Sequence, residues 1–316
     1  MSSRTCWFAS GSRNNEFTEP TIMSCNGDCG HCAHKEEEDQ ALCKLRHNLS
    51  GIKNIVMVMS GKGGVGKSTV AVNLAAALKM AGRKVGLLDV DFHGPSVPTM
   101  LGLVGQSVDA DEDGTIYPCD AGGIKVLSTG LVIPNPDDPI IWRGPVKAGV
   151  MQQFLGQTAW GDLDYLVLDV PPGTGDEPLS VCQLLAESGP GIPKEADVPH
   201  VLGAVVVTTP QKVAETDVAK SISFCKKLSF PVLGLVENMA YFQCPDCGKK
   251  YELFRSGAAQ TLSDKFQVPV LGRIPIDPQV CEGGDAGTPF MQRFPGSAAA
   301  GAFAQVVGCI EAVAEH

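Results

Sequence analysis

Ile55-Val56-Met57-Val58-Met59 is a continuous apolar run of strand length, and similar runs recur at Lys84–Asp89, Ile124–Ser128, Tyr165–Asp169, Gly203–Thr208, Pro231–Asn238 and Pro269–Ile274. Residues that are apolar at consecutive rather than alternate positions predict strands buried on both faces. Between the runs, apolar residues fall at helical spacing from Val70 to Lys79 and over Val146–Leu155, Glu177–Ala186, Val213–Leu228, Ala258–Lys265 and Ser297–Val313. Strands alternating with helices predict an α/β fold, a mostly parallel sheet with helices on both faces. The proline- and glycine-rich stretch Glu187–Pro199 reads as a surface loop, and there is no internal repeat.

The pattern begins at Gly51. Residues 1–50 are polar and carry the acidic run Glu36-Glu37-Glu38-Asp39, which reads as a solvated helix or linker. Residues 1–22 show nothing that looks foldable, and Met23 could serve as an alternative start. The division expected is a flexible, cysteine-bearing extension over 1–50 and one α/β domain over 51–316. A hydrophobic content of 44% supplies an ample core, while a net charge of −10 argues against a nucleic-acid surface. No stretch approaches a membrane span, and the N-terminus lacks a basic region followed by an apolar core, so a cytoplasmic location is expected. In a reducing compartment, clustered members of a set of 12 cysteines suggest metal or cluster ligation before disulfides.

One segment places chemistry on this frame. Ser60-Gly61-Lys62-Gly63-Gly64-Val65-Gly66-Lys67-Ser68-Thr69 contains G-x-x-x-x-G-K-[ST], between a predicted strand and a predicted helix. Its glycines let the backbone turn tightly, so that N–H groups and the helix N-terminus point at phosphate oxygens. Lys67 should reach the terminal phosphates, and the Ser68 hydroxyl should ligate Mg²⁺. The chain is therefore expected to bind a nucleoside triphosphate. Lys62 is not needed to cradle phosphate. A second lysine there resembles the deviant phosphate loop of dimeric ATPases similar to the nitrogenase iron protein, the septum-site and partition ATPases and the Mrp-type iron–sulfur carriers. In that group it reaches across the dimer to the partner's nucleotide.

Two strand ends carry the acids that phosphoryl transfer needs. Asp89-Val-Asp91 closes one strand, and Asp169-Val-Pro-Pro-Gly173-Thr-Gly175-Asp176 closes another. Ligands of open parallel sheets collect at such ends. Asp169 suits the Mg²⁺ shell, Asp91 suits orientation of the attacking water, and Asp89 could support the shell. The glycines after Asp169 would let that segment shift as switch loops do. Asn238 offers both a donor and an acceptor, as an adenine edge requires, and Arg273-Ile274-Pro275-Ile276-Asp277 could flank the base.

Cys244-Pro-Asp-Cys247-Gly is a metal-binding knuckle whose turn aims two thiolates at one ion or cluster. Two thiolates complete neither a tetrahedral zinc site nor a four-cysteine cluster, and a symmetric dimer would supply the missing pair. Cys25, Cys29, Cys32 and Cys43 could hold a complete [4Fe–4S] cluster or a zinc ion within one chain. Cys182, Cys225 and Cys309 fall in helical apolar patterns and read as small core residues; Cys6, Cys119 and Cys281 are isolated and receive no role.

Taken together, Gly61–Thr69, Asp89–Pro95, Trp142-Arg143-Gly144-Pro145, Asp169–Asp176, Glu237-Asn238-Met239 and Cys244–Cys247 resemble the Mrp-type iron–sulfur cluster carrier ATPases from about Gly51 to the C-terminus. The resemblance implies a P-loop fold of the deviant class, a homodimer, ATP with Mg²⁺, slow hydrolysis, and a [4Fe–4S] cluster bridged by Cys244 and Cys247 of both subunits. It also implies transfer of that cluster to apo iron–sulfur proteins. The N-terminal cysteines are similar to the extension of the eukaryotic cytosolic scaffold members, with a different spacing. Two other readings stand beside this one. A positioning ATPase of the same fold would need a basic tail or surface, and the apolar final helix lacks basic residues. A zinc-bridged, nucleotide-dependent metallochaperone could use the same thiols.

Overall fold

Alternate residues of one central strand separate the interior into two layers. Ile55, Met57 and Met59 belong to one buried cluster, and Val56 and Val58 to another on the opposite face of the sheet. The computed structural model describes residues 4–7, 22–25, 44–133, 142–188, 199–254 and 257–315. In chain order the elements are β1 (Arg4–Trp7), β2 (Ile22–Cys25), α1 (44–49), β3 (Ile52–Ser60), α2 (Lys67–Met80), β4 (Val85–Asp89) and α3 (Val97–Met100). Next come β5 (Asp109–Ala110), β6 (Ile116–Tyr117), β7 (Cys119–Asp120), β8 (Ile124–Ser128), α4 (Gly144–Gly156), β9 (Leu163–Asp169) and α5 (Asp176–Ser188). The remainder comprises β10 (His200–Thr208), α6 (Lys212–Lys227), β11 (Val232–Glu237), β12 (Phe242–Gln243), β13 (Lys250–Tyr251), α7 (Ala258–Phe266), β14 (Val270–Arg273), α8 (Pro278–Asp285), α9 (Phe290–Arg293) and α10 (Ala298–Ala314).

The main sheet has eight strands in the order β14-β11-β10-β3-β9-β4-β8-β7, parallel throughout except for the short edge strand β7. Helices α2 and α10, with α9, cover one face through Leu74, Leu78, Phe290, Phe303, Val306 and Ile310. The other face is covered by α1, α4, α5, α6 and α7, through Leu49, Phe154, Leu185, Ile222 and Leu262. Helix α10 thus spends its apolar side on the core. Among the described residues, no helix is long and apolar enough to cross a membrane.

Two findings differ from the sequence expectations near the N-terminus. Arg4–Trp7 and Ile22–Cys25 pair as antiparallel strands, with Trp7 opposite Ile22 and Arg4 opposite Cys25. The first strand lies within residues 1–22, which had shown nothing foldable, and the second starts at their end. The packed body also takes in residues 44–49, which the sequence pattern assigned to the extension. Leu45 and Leu49 are fully buried, and the Asn48 side chain donates to the Leu155 and Thr158 carbonyls at 2.8 and 2.7 Å. A single helical turn and a half offers too few periodic positions to be read from sequence. Cys29, Cys32, Cys43, the side chain of Cys25 and most of the proline- and glycine-rich stretch after α5 lie outside the described residues.

Candidate functional site

Parallel pairing brings the carboxyl ends of the strands into one line. Asp89 of β4 is level with Asp169 of β9 and with Ser128 of β8, and Ser60 of β3 is level with Val207 of β10. The phosphate loop leaves β3 at this line and enters α2. Gly66 caps that helix with φ 81°, and no side chain or acidic first turn satisfies its leading N–H groups. Those donors and the helix dipole form an anion site. A methyl group at Gly61 would stand 2.4 Å from the Asp217 carbonyl carbon of α6, so only glycine lets the loop lie against that helix. The backbone carbonyl of Lys62 accepts from Ser60 Oγ at 3.0 Å, while its ammonium pairs with no group among the described residues.

Lys67 is buried and surrounded by acids. Its ammonium touches Asp169 Oδ1, lies 3.7 Å from Asp91 Oδ2 and donates to Ser68 Oγ at 3.2 Å. Asp89 accepts from Ser128 Oγ at 2.9 Å and from the Asp91 N–H at 3.0 Å, which fixes the turn that presents Asp91. One ammonium among three carboxylates leaves a negative excess. Burial, and next the neighbouring Asp169 charge, push the Asp89 carboxyl up to about 8. Burial also raises Asp169, with Lys67 opposing. Asp169 Oδ2 is buried with no hydrogen-bond partner. An orphaned carboxylate oxygen beside the Ser68 hydroxyl, in a locus of negative excess, is a hard-oxygen set that fits Mg²⁺.

The raised Asp89 carries a pH signature. Its folded form keeps a proton that the unfolded chain releases near 4, so its ordinary contribution is complete below pH 4 and is lost as pH rises toward about 8. Asparagine holds the neutral form at every pH, and its amide can donate to Ser128 while its carbonyl accepts from Asp91. Asp89→Asn is therefore expected to melt progressively higher than the parent chain between pH 5 and 8, by several degrees, on the order of one to two kcal/mol. Melting curves without nucleotide or Mg²⁺ test this; a pH-independent difference would remove the buried proton.

Beside the loop lies a cavity of about 550 Å³, within the usual range for small-molecule sites, lined by Gly66, Thr69, Asn238, Met239, Pro275, Ile276 and Phe290, among others. Asn238 directly follows β11 and gives one amide hydrogen to the Val65 carbonyl at 2.9 Å, keeping its Oδ1 and second N–H for a ligand. Arg273 turns away to pair with Glu237 at 2.6 Å, while Pro275, Ile276 and Asp277 reach the cavity wall. Much of the wall comes from α3, α8 and α9. These are short helices with too few turns to show a period, and the sequence reading did not find them. The isolated Cys281 also lines this cavity.

The thiol pair lies elsewhere, on the β12–β13 hairpin. The Cys244 N–H donates to the Lys249 carbonyl at 3.0 Å, the Gly248 N–H donates back to the Cys244 carbonyl at 2.9 Å, and Gly248 takes φ 70°. Backbone N–H groups of Cys247 and Asp246, then the Cys247 thiol, hold the Cys244 thiol below its ordinary value, which favours thiolate. Cys244 is half-buried and Cys247 exposed. Among the described residues no group of three or more potential ligands forms, so this pair finds no third ligand among the described residues of its own chain. By contrast, Cys182 and Cys225 are buried in the core, and burial pushes both thiols up to about 12.

A family model described as the NUBPL iron-transfer P-loop NTPase matches residues 51–311. The chain belongs to that family. As a NUBPL-type P-loop NTPase it is 46% identical over 270 residues to the iron-sulfur cluster carrier protein of Aquifex aeolicus, covering 85% of this chain and 70% of that one. It is 42% identical over 269 residues to the human cytosolic Fe-S cluster assembly factor NUBP2, covering 82% and 92% respectively. Its fold matches the nucleotide-binding protein of Archaeoglobus fulgidus, solved in complex with ADP, at 37% identity and TM-score 0.65, covering 82% of this chain and 98% of that one. The Pyrococcus furiosus cell division ATPase MinD follows at 26% identity and TM-score 0.58, over 82% and 99%. This NTPase therefore shares the MinD-like P-loop architecture, with a mostly parallel sheet and helices on both faces.

Proposed function

We propose that this protein is a cytoplasmic, ATP-dependent iron–sulfur cluster carrier. Two copies bridge one [4Fe–4S] cluster through Cys244 and Cys247 of each and pass it to apo iron–sulfur proteins. The observation that carries the reading is the knuckle itself: one half-buried thiol biased toward thiolate and one exposed thiol, without a third ligand among the described residues of their chain. A two-fold axis doubles the pair to four. The names of the Aquifex and human relatives support cluster transfer as the purpose.

ATP is the fuel in this reading. The α2 N-terminus and Lys67 bind the phosphates, Asn238 reads the base in the adjoining cavity, and Lys62 extends toward the partner's nucleotide. Asp91, held by the Asp89–Ser128 pair, orients the attacking water. Mg²⁺ on Ser68 and Asp169 would supply charge to the phosphate oxygens. The extension ahead of α1 is a cysteine-bearing unit in which Cys25, Cys29, Cys32 and Cys43 hold a second centre, while residues 44–49 belong to the packed body.

Anaerobic reconstitution with iron and sulfide tests the bridge. In the full-length chain carrying Cys25→Ser, Cys29→Ser, Cys32→Ser and Cys43→Ser, about four irons and four sulfides are expected per two chains. The loaded species should have dimer mass by light scattering. Zinc at the same stoichiometry without sulfide would replace the carrier with a zinc-bridged switch, and an iron-loaded monomer would remove the shared site.

A further inference from the structure

Lys147 is a buried lysine that the nucleotide chemistry above does not use. It lies in the first turn of α4, two residues after Pro145 of Trp142-Arg143-Gly144-Pro145, and its side chain is 9% exposed. Its ammonium donates to Glu177 Oε1 at 2.6 Å and lies 2.8 Å from His93 Nε2. It also stands 5.9 Å from the centre of the buried Phe92 ring, which meets Trp142 edge-on at 5.7 Å. Neither polar partner belongs to its own helix. His93 follows Asp91 by two residues on the turn after β4, and Glu177 opens α5, directly after the glycine-rich segment that begins at Asp169.

The geometry points to Lys147 as a positioning residue for ATP hydrolysis, tying the turn that carries Asp91 to the segment that carries Asp169. This rests on the hydrolysis reading proposed above. The two segments meet at Lys67, where both carboxylates face one ammonium, and meet again where the Lys147 ammonium holds His93 and Glu177, which stand 3.6 Å from each other. The result is a closed circuit with a lysine at each crossing. Phe92, wedged between Asp91 and His93 in sequence, transmits the restraint through its contact with Trp142. The start of α4 also abuts α5, since a methyl group on Gly144 would lie 3.5 Å from Asp176 Oδ2. Movement of either segment, as when a terminal phosphate is lost, therefore passes through Lys147 to the other. A buried ammonium that follows one of its two partners gives up its hydrogen bond to the other.

Lys147→Met keeps the apolar stem and removes the charge. The expected result is a fall in kcat of roughly ten- to a hundredfold, the scale of a misplaced catalytic group, with KM for ATP and nucleotide affinity little changed. Lys147→Arg keeps a cation with several donors and should recover most of the rate, a rescue that packing alone would not produce. His93→Ala removes one arm of the bridge at a side chain 66% exposed, so it remains measurable if Lys147→Met does not fold. It should lower kcat in the same sense, and the double variant should lose no more than the worse single one. Turnover, nucleotide titration and thermal midpoint are read on each full-length chain. Wild-type kcat in Lys147→Met or His93→Ala overturns the bridge, as does a rate loss that only tracks a lower midpoint or weaker ATP binding. A wild-type chain that hydrolyses no ATP sinks the hydrolysis reading and the bridge with it, whereas an active wild type with an unaffected Lys147→Met sinks the bridge alone.

Discussion

Lys67→Ala is expected to abolish ATP turnover, with a loss on the order of a hundredfold or more, and to weaken nucleotide binding. Among the described residues, the ammonium is the one cation placed between the phosphate loop and the Asp91 and Asp169 carboxylates. Without it, a polyanionic ligand would meet acids alone. The fold should survive, because Asp169 is already displaced toward its neutral form by burial and can take up a proton. That compensation has a direction: a carboxyl raised in the folded state favours folding at low pH and ceases to do so as pH rises. The variant should therefore lose stability relative to the parent as the buffer is made more alkaline. Asp91→Ala makes the contrast, retaining ATP while failing to hydrolyse it. Equilibrium nucleotide titration alongside phosphate release separates the two, and normal turnover in Lys67→Ala would reject the assignment of this loop to catalysis.

Cys244→Ala is expected to remove the bridging cluster entirely, and with it the cluster-dependent dimer. Cys244 is the thiol that backbone donors bias toward thiolate, and its loss removes one ligand from each pair. Across a two-fold axis one substitution deletes two of four ligands, which no cluster of this type tolerates without replacement. Iron and sulfide content should fall to background in the protein that also lacks the four N-terminal cysteines, and sedimentation should show a smaller species. ATP binding should persist, because the hairpin and the phosphate loop are separate parts of the surface. Cluster retention in Cys244→Ala would move the site elsewhere among the cysteines.

Most of the parallel sheet was legible in the sequence because its strands are buried on both sides. Such strands are continuous apolar runs, and the predicted Ile124–Ser128 coincides with the observed strand. The long helices were equally plain: Ala258–Lys265 falls one residue short of the observed Ala258–Phe266. The phosphate loop, the two acidic strand ends and the cysteine knuckle could be found because each is a local spacing of particular residue types. The cavity beside the loop could not, since Met239, Pro275 and Phe290 meet only in three dimensions and belong to short helices or turns. Lys147, Glu177 and His93 escaped for a related reason. Each looks like an ordinary solvated charge on its own segment, and only the convergence of three elements buries the lysine.

The hydrogen bond from Asn238 to the Val65 carbonyl has a consequence for substrate choice. The residue that faces the base cavity is anchored to the backbone that wraps the phosphates, one position before Gly66. In the proposed reading, base recognition and phosphate alignment are mechanically one act. A nucleotide whose base draws the amide out of place pulls on a loop that has no slack, because Gly61 is pressed against α6 at its other end. Discrimination between nucleotides should then show itself in how fast the correctly docked complex reacts as well as in how tightly it forms. A wrong base would be penalised twice, once on entry and again at the chemical step.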